Sequence, residues 1–190
     1  YIACTYSNDE ASGNSGATNT LKNVTLNYAV SLDGTVESVA EKGASNDSVA
    51  TAPIIRVTNV MSSSSTSEEN FYILDNRYLF AGISYYVQEK QHSFTLVNYP
   101  NEEVEDGVIK FYLRHGGTPE KDGVTLISAN VAGTYPYLYY KSFDLANYLP
   151  TLPGKEVKII VEVDENTVNN KLDDERTKKR EYSLTYKVEE

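Results

Sequence analysis

Apolar and polar residues alternate at every second position through much of the chain. In residues 24–30, the apolar positions are separated by Thr25, Asn27 and Ala29, which is the spacing of a strand with one buried face. Residues 108–115 repeat this pattern. No segment carries an apolar stripe at helical spacing for more than about two turns. The pattern therefore predicts an all-β protein.

Further strands are predicted where aromatic and β-branched residues concentrate between turn-forming residues. In chain order, the predicted strands cover residues 21–30, 35–39, 54–57, 71–74, 78–87, 93–98, 108–115, 124–127, 137–145, 157–163 and 182–188. Asp33-Gly34 is a turn signal that would fold the first of these back into the second. The charged segment 166–180 is predicted to be an exposed loop or a short helix around residues 172–178. Strands of this length and spacing favour an antiparallel β-sandwich.

The overall composition limits the classes of partner. With 190 residues, 40% of them apolar and 23% charged, the chain can bury a sizeable core and is typical of a soluble globular protein. No run approaches the ~20 apolar residues needed to cross a bilayer as a helix. The formal net charge of −10 repels phosphate backbones. We therefore expect no nucleic-acid partner.

The only cysteine lies close to the first residue of the sequence. Cys4 follows the small residue Ala3 and precedes an acidic stretch rich in Ser, Gly and Asn, which cannot repay the entropy of ordering. A bacterial lipoprotein junction has this arrangement, and no second cysteine is available for a disulfide. We predict Cys4 as a lipid-attachment residue, the alternative being a stray thiol.

Composition shifts divide the chain into three parts. Residues 1–20 are predicted to be the lipoprotein junction and a flexible tether. Residues 21–51 are predicted to form a small N-terminal β region, which ends in a loop-like stretch with Gly43, Asn46 and Asp47. Residues 52–190 are predicted to form the β-sandwich domain.

No group of residues has the spacing of a known catalytic or metal site. His92 and His115, the only two histidines, lack further ligands at zinc spacing, and each is predicted to be a hydrogen-bonded residue at a strand end or turn. The acidic runs at 102–106, 164–165 and 173–175 lack the spacing of a calcium loop and are predicted to be solvated turns. There is no nucleophile elbow or phosphate loop. We expect a non-enzyme without a metal or cofactor.

Tyrosines are abundant and tryptophan is absent. Tyr135, Tyr137 and Tyr139 should share one face of a strand, while Tyr140 lies on the other. If the three-residue face is exposed, it can stack on a glycan or contact a partner protein. If it faces the second sheet, it is part of the core, which is the favoured expectation.

Short motifs in the second half resemble a known family. Leu113, Arg114 and His115 precede a glycine turn, residues 142–145 read Ser-Phe-Asp-Leu, and residues 155–163 form a hydrophobic strand. These motifs resemble the C-terminal β-sandwich domain of the NigD-like lipoproteins of Bacteroidota, over about residues 52–190. The resemblance implies a lipid anchor and an OB-like barrel before the sandwich. Because residues 21–51 offer too few strands for that barrel, an abbreviated OB-like region, or one merged into the sandwich, is expected.

The resemblance implies a location more than a reaction, because the family has no established enzymatic activity. We expect a lipid-anchored outer-membrane protein at the cell surface. By association, its function is expected to be that of a non-catalytic accessory subunit that contacts an outer-membrane nutrient-import (SusCD-type) complex. The alternatives are a surface carbohydrate-binding module that uses tyrosine, and a fimbrial or pilus subunit that exchanges a strand at a sheet edge.

Overall fold

The structure is a computed structural model that describes residues 2–7, 22–29, 34–40, 42, 52–58, 70–87, 92–116, 135–171 and 174–188. Within these ranges every regular element is a strand. The strands are β1 (Ile2–Ser7), β2 (Lys22–Ala29), β3 (Thr35–Ser38), β4 (Arg56–Thr58), β5 (Phe71–Leu74), β6 (Tyr78–Val87), β7 (Ser93–Asn98), β8 (Val108–Gly116), β9 (Tyr135–Asp144), β10 (Glu156–Glu165) and β11 (Lys178–Lys187).

Two larger sheets enclose the main core. One has the strand order β11-β10-β8-β7-β3. In the other, β6 is central, with β4 and β5 on one side and β9 on the other. Strands β1 and β2 form a separate pair. The predicted all-β sandwich is confirmed.

The alternation in the sequence places the core side chains. On β8, Phe111 and Leu113 are buried in the main core, whereas Lys110 and Tyr112 lie on the outer face of the sheet. Each fully buried side chain of this size contributes about 1.5–3 kcal/mol. Strand β6 is buried along nearly its whole length on both faces, and on the face away from the main core the Phe80 ring packs against the rings of Tyr72 and Tyr140.

The five-stranded sheet is mixed and not wholly antiparallel. Strand β8 pairs with β10, and β3 with β7, in parallel. Parallel neighbours need long crossover connections, so period-two patterning alone does not reveal them.

The predicted hairpin at Asp33-Gly34 is wrong. Strand β2 pairs with β1, while β3 forms the edge of the five-stranded sheet. The Gly34 N–H donates to the Ser142 carbonyl at 2.9 Å, and a Cβ atom on Gly34 would lie 2.3 Å from that oxygen. Gly34 therefore allows close contact with β9. The division into 1–20, 21–51 and 52–190 stays a prediction, although β3 of the middle part belongs to the sandwich sheet.

The segment 166–180 is folded as turns in its described part, and β11 begins at Lys178. The Asn166 Oδ1 atom accepts hydrogen bonds from the N–H groups of Val168 and Asn169, which is a turn that competes with a helix. The predicted strand 124–127 lies outside the described residues, as do residues 8–20 of the predicted tether.

Candidate functional site

Both histidines lie in the core at one end of the sandwich, where β6 and β8 end and β7 begins. His92 and His115 are buried, with the His92 Nδ1 atom 2.6 Å from the His115 Nε2 atom. The His115 Nδ1 atom lies 3.1 Å from the Pro53 carbonyl oxygen. The Tyr85 and Phe94 rings pack on His115, with centroid distances of 5.2 and 4.8 Å. The prediction that each histidine is hydrogen-bonded near a strand end is confirmed.

The hydrogen bonds of this pair fix its proton positions. Because a carbonyl oxygen only accepts, the His115 Nδ1 atom carries a proton and donates it to Pro53. In a neutral ring, Nε2 then accepts, so the His92 Nδ1–H donates to His115. Burial, and secondly the neighbouring His92, hold the pKa of His115 well below its ordinary value. A buried ring that stays neutral braces the core and is poorly suited to general acid–base catalysis, which needs a pKa near the working pH.

Acid should destabilise the fold through His115. Its pKa is lowered to about 3 in the folded protein and is about 6.5 when unfolded, so the unfolded state binds the proton first. The stabilisation is fully present above about pH 6.5 and is lost as the pH falls toward the folded pKa, at about 1.4 kcal/mol per pH unit. Urea unfolding between about pH 6.5 and 5, above the carboxylate range, measures this slope.

The matched control for the acid slope is His115→Gln, because its amide does not titrate. This variant should show a flatter dependence over the same pH interval. Equal slopes in the two proteins would contradict the assignment of the acid sensitivity to His115.

A second polar group lies at the same end of the sandwich. The Ile54 N–H donates to the Asp164 carbonyl, and the Asn166 N–H donates to the Ile54 carbonyl. Buried Asn166 donates its side-chain amide to the Asn169 and Thr177 side-chain oxygens. Local backbone and side-chain partners thus satisfy this buried amide.

The acidic run 173–175 contributes to this network through Asp174. The Asp174 carboxylate accepts hydrogen bonds from the Arg176 guanidinium and from the Asn169 amide. These bonds, the Arg176 bond first, lower the pKa of Asp174. Its oxygens are therefore used by hydrogen bonds within the loop. Among the residues that the structure describes, no three His, Cys, Asp or Glu side chains form a group that would hold a metal ion.

The outer face of the five-stranded sheet carries a tyrosine–carboxylate pair. The Tyr112 hydroxyl donates to the Glu102 carboxylate, with oxygen distances of 2.5 and 2.7 Å, and the ring is buried. The Lys42 Nζ atom lies 4.1 Å from the ring centroid, a cation–π distance. Burial, followed by the Glu102 hydrogen bond, raises the pKa of Tyr112. The prediction that 102–106 is only a solvated turn is therefore wrong for Glu102.

Removing this hydroxyl should destabilise the protein modestly. Tyr112→Phe is expected to lower the free energy of unfolding by about 1–2 kcal/mol, because the half-buried Glu102 loses its donor. Chemical denaturation measures the change. The matched control is Tyr148→Phe, since half-buried Tyr148 packs on the core with its ring, and it should change stability by less than about 0.5 kcal/mol. Equal losses in the two variants would contradict this role for Tyr112.

The predicted glycan or partner contact involves Tyr135, Tyr137 and Tyr139 of β9. In register with β6 they pair with the core residues Val87, Tyr85 and Ile83, respectively. Tyr139 is half-buried and packs against the main core, and the Lys141 Nζ atom lies 4.6 Å from its ring centroid. The side chains of Tyr135 and Tyr137 lie outside the described part. The contact role of this face stays a prediction.

Cys4 lies within β1. Its Cα is paired with that of Leu26, and the preceding Ile2 and Ala3 pair with Ala29 and Tyr28. Cleavage before Cys4 would remove two residues of this ladder. Lipid attachment at Cys4 stays a prediction. In the described part of the chain, no helix has the length and apolar character required to cross a membrane.

The edges of the two sheets face each other at β5 and β11. A groove of about 230 Å³ lies between them, with Phe71, Asn76, Thr185 and Lys187 in its lining. At one end the rings of Phe71 and Tyr182 are in contact, with centroids 5.9 Å apart. The groove is therefore closed by packing at that end and bordered on both sides by strands.

Solved structures share this fold. A candidate lipoprotein from Bacteroides fragilis matches 100% of this chain and 82% of its own, with a TM-score of 0.71 and 22% identity. A NigD-like immunity protein from Bacteroides caccae matches 98% of this chain and 74% of its own, with a TM-score of 0.56 and 17% identity. A Bacteroides vulgatus protein of unknown function matches 98% and 71%, with a TM-score of 0.55 and 19% identity.

At these identities the similarity shows a common fold. The resemblance to NigD-like proteins of Bacteroidota, expected from the sequence, is confirmed at the level of that fold. No protein-family model and no curated protein sequence matches the chain.

Proposed function

We propose that this protein is a non-catalytic, lipid-anchored outer-membrane protein that works by contacting a protein partner, a nutrient-import complex of the SusCD type. The observation that carries the non-catalytic part is that the two buried histidines bond to each other and that His115 also bonds to the Pro53 carbonyl. Histidine is the side chain best suited to proton transfer at neutral pH, and both histidines are buried in the core. The Asn166 amide and the Glu102 carboxylate likewise form hydrogen bonds with other side chains of the same chain, Asn169 and Tyr112 respectively.

The lipid anchor is supported by the sequence around Cys4 and by the fold shared with the Bacteroides fragilis candidate lipoprotein. Metabolic labelling of the full-length protein with an alkyne fatty acid, followed by membrane fractionation, tests it. We expect label in the outer-membrane fraction and loss of label in Cys4→Ser. Label that persists in Cys4→Ser would contradict attachment at Cys4, and unlabelled wild-type protein would contradict the anchor.

The importer as partner is supported by association, because surface lipoproteins of these bacteria often accompany such complexes. Photo-crosslinking on intact cells tests whether the protein touches an outer-membrane transporter. We expect one dominant crosslinked species that contains a transporter subunit. Crosslinks only to unrelated, abundant envelope proteins would contradict a specific complex.

A fimbrial or pilus subunit is the second candidate, and the facing edges of β5 and β11 favour it. Pilus subunits add a strand from a neighbouring subunit to an open sheet edge. This function predicts polymers of the protein in surface material that is sheared from cells. Sheared material without such polymers would contradict it.

A further inference from the structure

Strand β11 is a long edge of the five-stranded sheet. It pairs with β10 over ten residues on one side, and in the described part of the chain no strand pairs with its other side. An exposed edge offers a row of backbone N–H and C=O groups to another strand.

The hydrogen bonds of β10 show which residues of β11 present their backbone groups outward. The Val188 N–H donates to the Lys155 carbonyl, and the Lys158 N–H donates to Gly107 on the β8 side. Alternation along an antiparallel ladder then directs the backbone groups of Tyr182, Leu184 and Tyr186 toward β10. The outward groups are those of Glu181, Ser183, Thr185 and Lys187.

This outward row is complementary to itself. When two copies of β11 are placed antiparallel about Leu184, Ser183 faces Thr185 and Glu181 faces Lys187, twice because of the two-fold axis. A register shifted by two residues, centred on Ser183, would instead set Lys179 against Lys187.

We propose that two copies of this chain associate through β11, in the register that pairs Ser183 with Thr185 and Glu181 with Lys187. The second copy of β11 lies beside the groove between β5 and β11, which Leu184 and Thr185 line. Half-buried Leu184 meets its counterpart on the two-fold axis. The two five-stranded sheets then continue as one.

The charges around Glu181 leave room for Lys187 of the second copy. Glu181 accepts a hydrogen bond from Lys110 at 2.8 Å, but Lys110 also lies 3.1 Å from Glu162. Glu181 is more than half exposed, so a second lysine can approach it from the edge. Lys187 is exposed at the far end of the same outward row. Glu181 and Lys187 thus lie at matching distances on either side of Leu184, where the axis passes.

Charge exchange gives a direct test by sedimentation velocity on the whole chain over a wide concentration range. We expect a monomer–dimer equilibrium for the wild type. Glu181→Lys and Lys187→Glu should each weaken self-association about tenfold or more, because each sets like charges opposite each other twice. An equimolar mixture of the two variants should form a heterodimer, because both contacts then join opposite charges.

The matched control for Lys187→Glu is Arg56→Glu, which changes the net charge by the same amount at an exposed residue of β4 in the other sheet and should leave the association unchanged. A wild type that stays monomeric throughout, or variants that fail to pair when mixed, would overturn the proposal.

A second measurement does not depend on charged variants. Hydrogen exchange of the Ser183 and Thr185 amides in the wild type should slow as the protein concentration rises. Thr185→Pro, which removes an outward N–H that β10 does not use, should give a folded monomer. Slow exchange at concentrations where sedimentation shows only monomer would mean that another segment of the same chain covers the edge, and it would overturn the dimer, as would fast exchange at every concentration.

Discussion

Gly34→Ala should lower the free energy of unfolding by about 3 kcal/mol or more. The added Cβ atom would lie 2.3 Å from the Ser142 carbonyl oxygen and 2.5 Å from the Phe143 Cδ1 atom. The carbonyl belongs to β9, which is paired with β6 along its whole length, and the Phe143 ring is fully buried. Neither group can therefore move without breaking other contacts. Chemical denaturation of the wild type and the variant measures the loss.

Gly107→Ala is the control for the glycine-to-alanine change itself. Gly107 has a φ of 76°, and no heavy atom beyond its two chain neighbours lies within 4 Å of the position of its Cβ. This variant should lose only about 1 kcal/mol, the cost of the left-handed conformation. Equal losses at the two positions would contradict the claim that Gly34 serves close packing between β3 and β9.

His115→Ala should be the second strongly destabilising change, with an expected loss of about 3 kcal/mol. It removes a fully buried ring that contacts Tyr85 and Phe94, and it leaves the His92 Nδ1–H and the Pro53 carbonyl without this partner. Cavity formation and a lost buried hydrogen bond each cost energy in this range. Urea unfolding at neutral pH measures the change.

A double-mutant cycle with His92→Ala separates the pair from general loss of packing. The two histidines are in direct contact. The sum of the losses of unfolding free energy in the two single variants should therefore exceed the loss in the double variant by about 1 kcal/mol or more. Additive losses would contradict a hydrogen-bonded pair.

The strands follow from local patterning. The bounds predicted for 71–74, 78–87 and 93–98 coincide with β5, β6 and β7, because aromatic and β-branched residues concentrate there between turn-forming residues. Pairing depends on distant residues and did not follow from the pattern. The parallel partners β3 and β7 are separated by β4, β5 and β6 along the chain. The turn at Asp33-Gly34 was misread because a glycine that admits a neighbouring strand has the same local signal as a turn glycine.

The candidate site was predictable only in its local contacts. Each histidine lies at a strand end, as expected, but nothing in the sequence shows that His92 and His115 contact each other. The Glu102–Tyr112 bond likewise depends on how a loop folds over a sheet. The turn at Asn166 did have a local signal, because closely spaced Asn and Thr side chains often bind nearby backbone. Which strands lie at a sheet edge is a property of topology, so the β11 edge could be found only in the structure.

Purification of the protein from its native outer membrane in mild detergent, with identification and quantification of co-purifying proteins, tests the central functional claim most directly. A non-catalytic accessory subunit should elute with a nutrient-import transporter in a fixed stoichiometry. A protein that elutes without any transporter, alone or only with its own copies, would contradict that function.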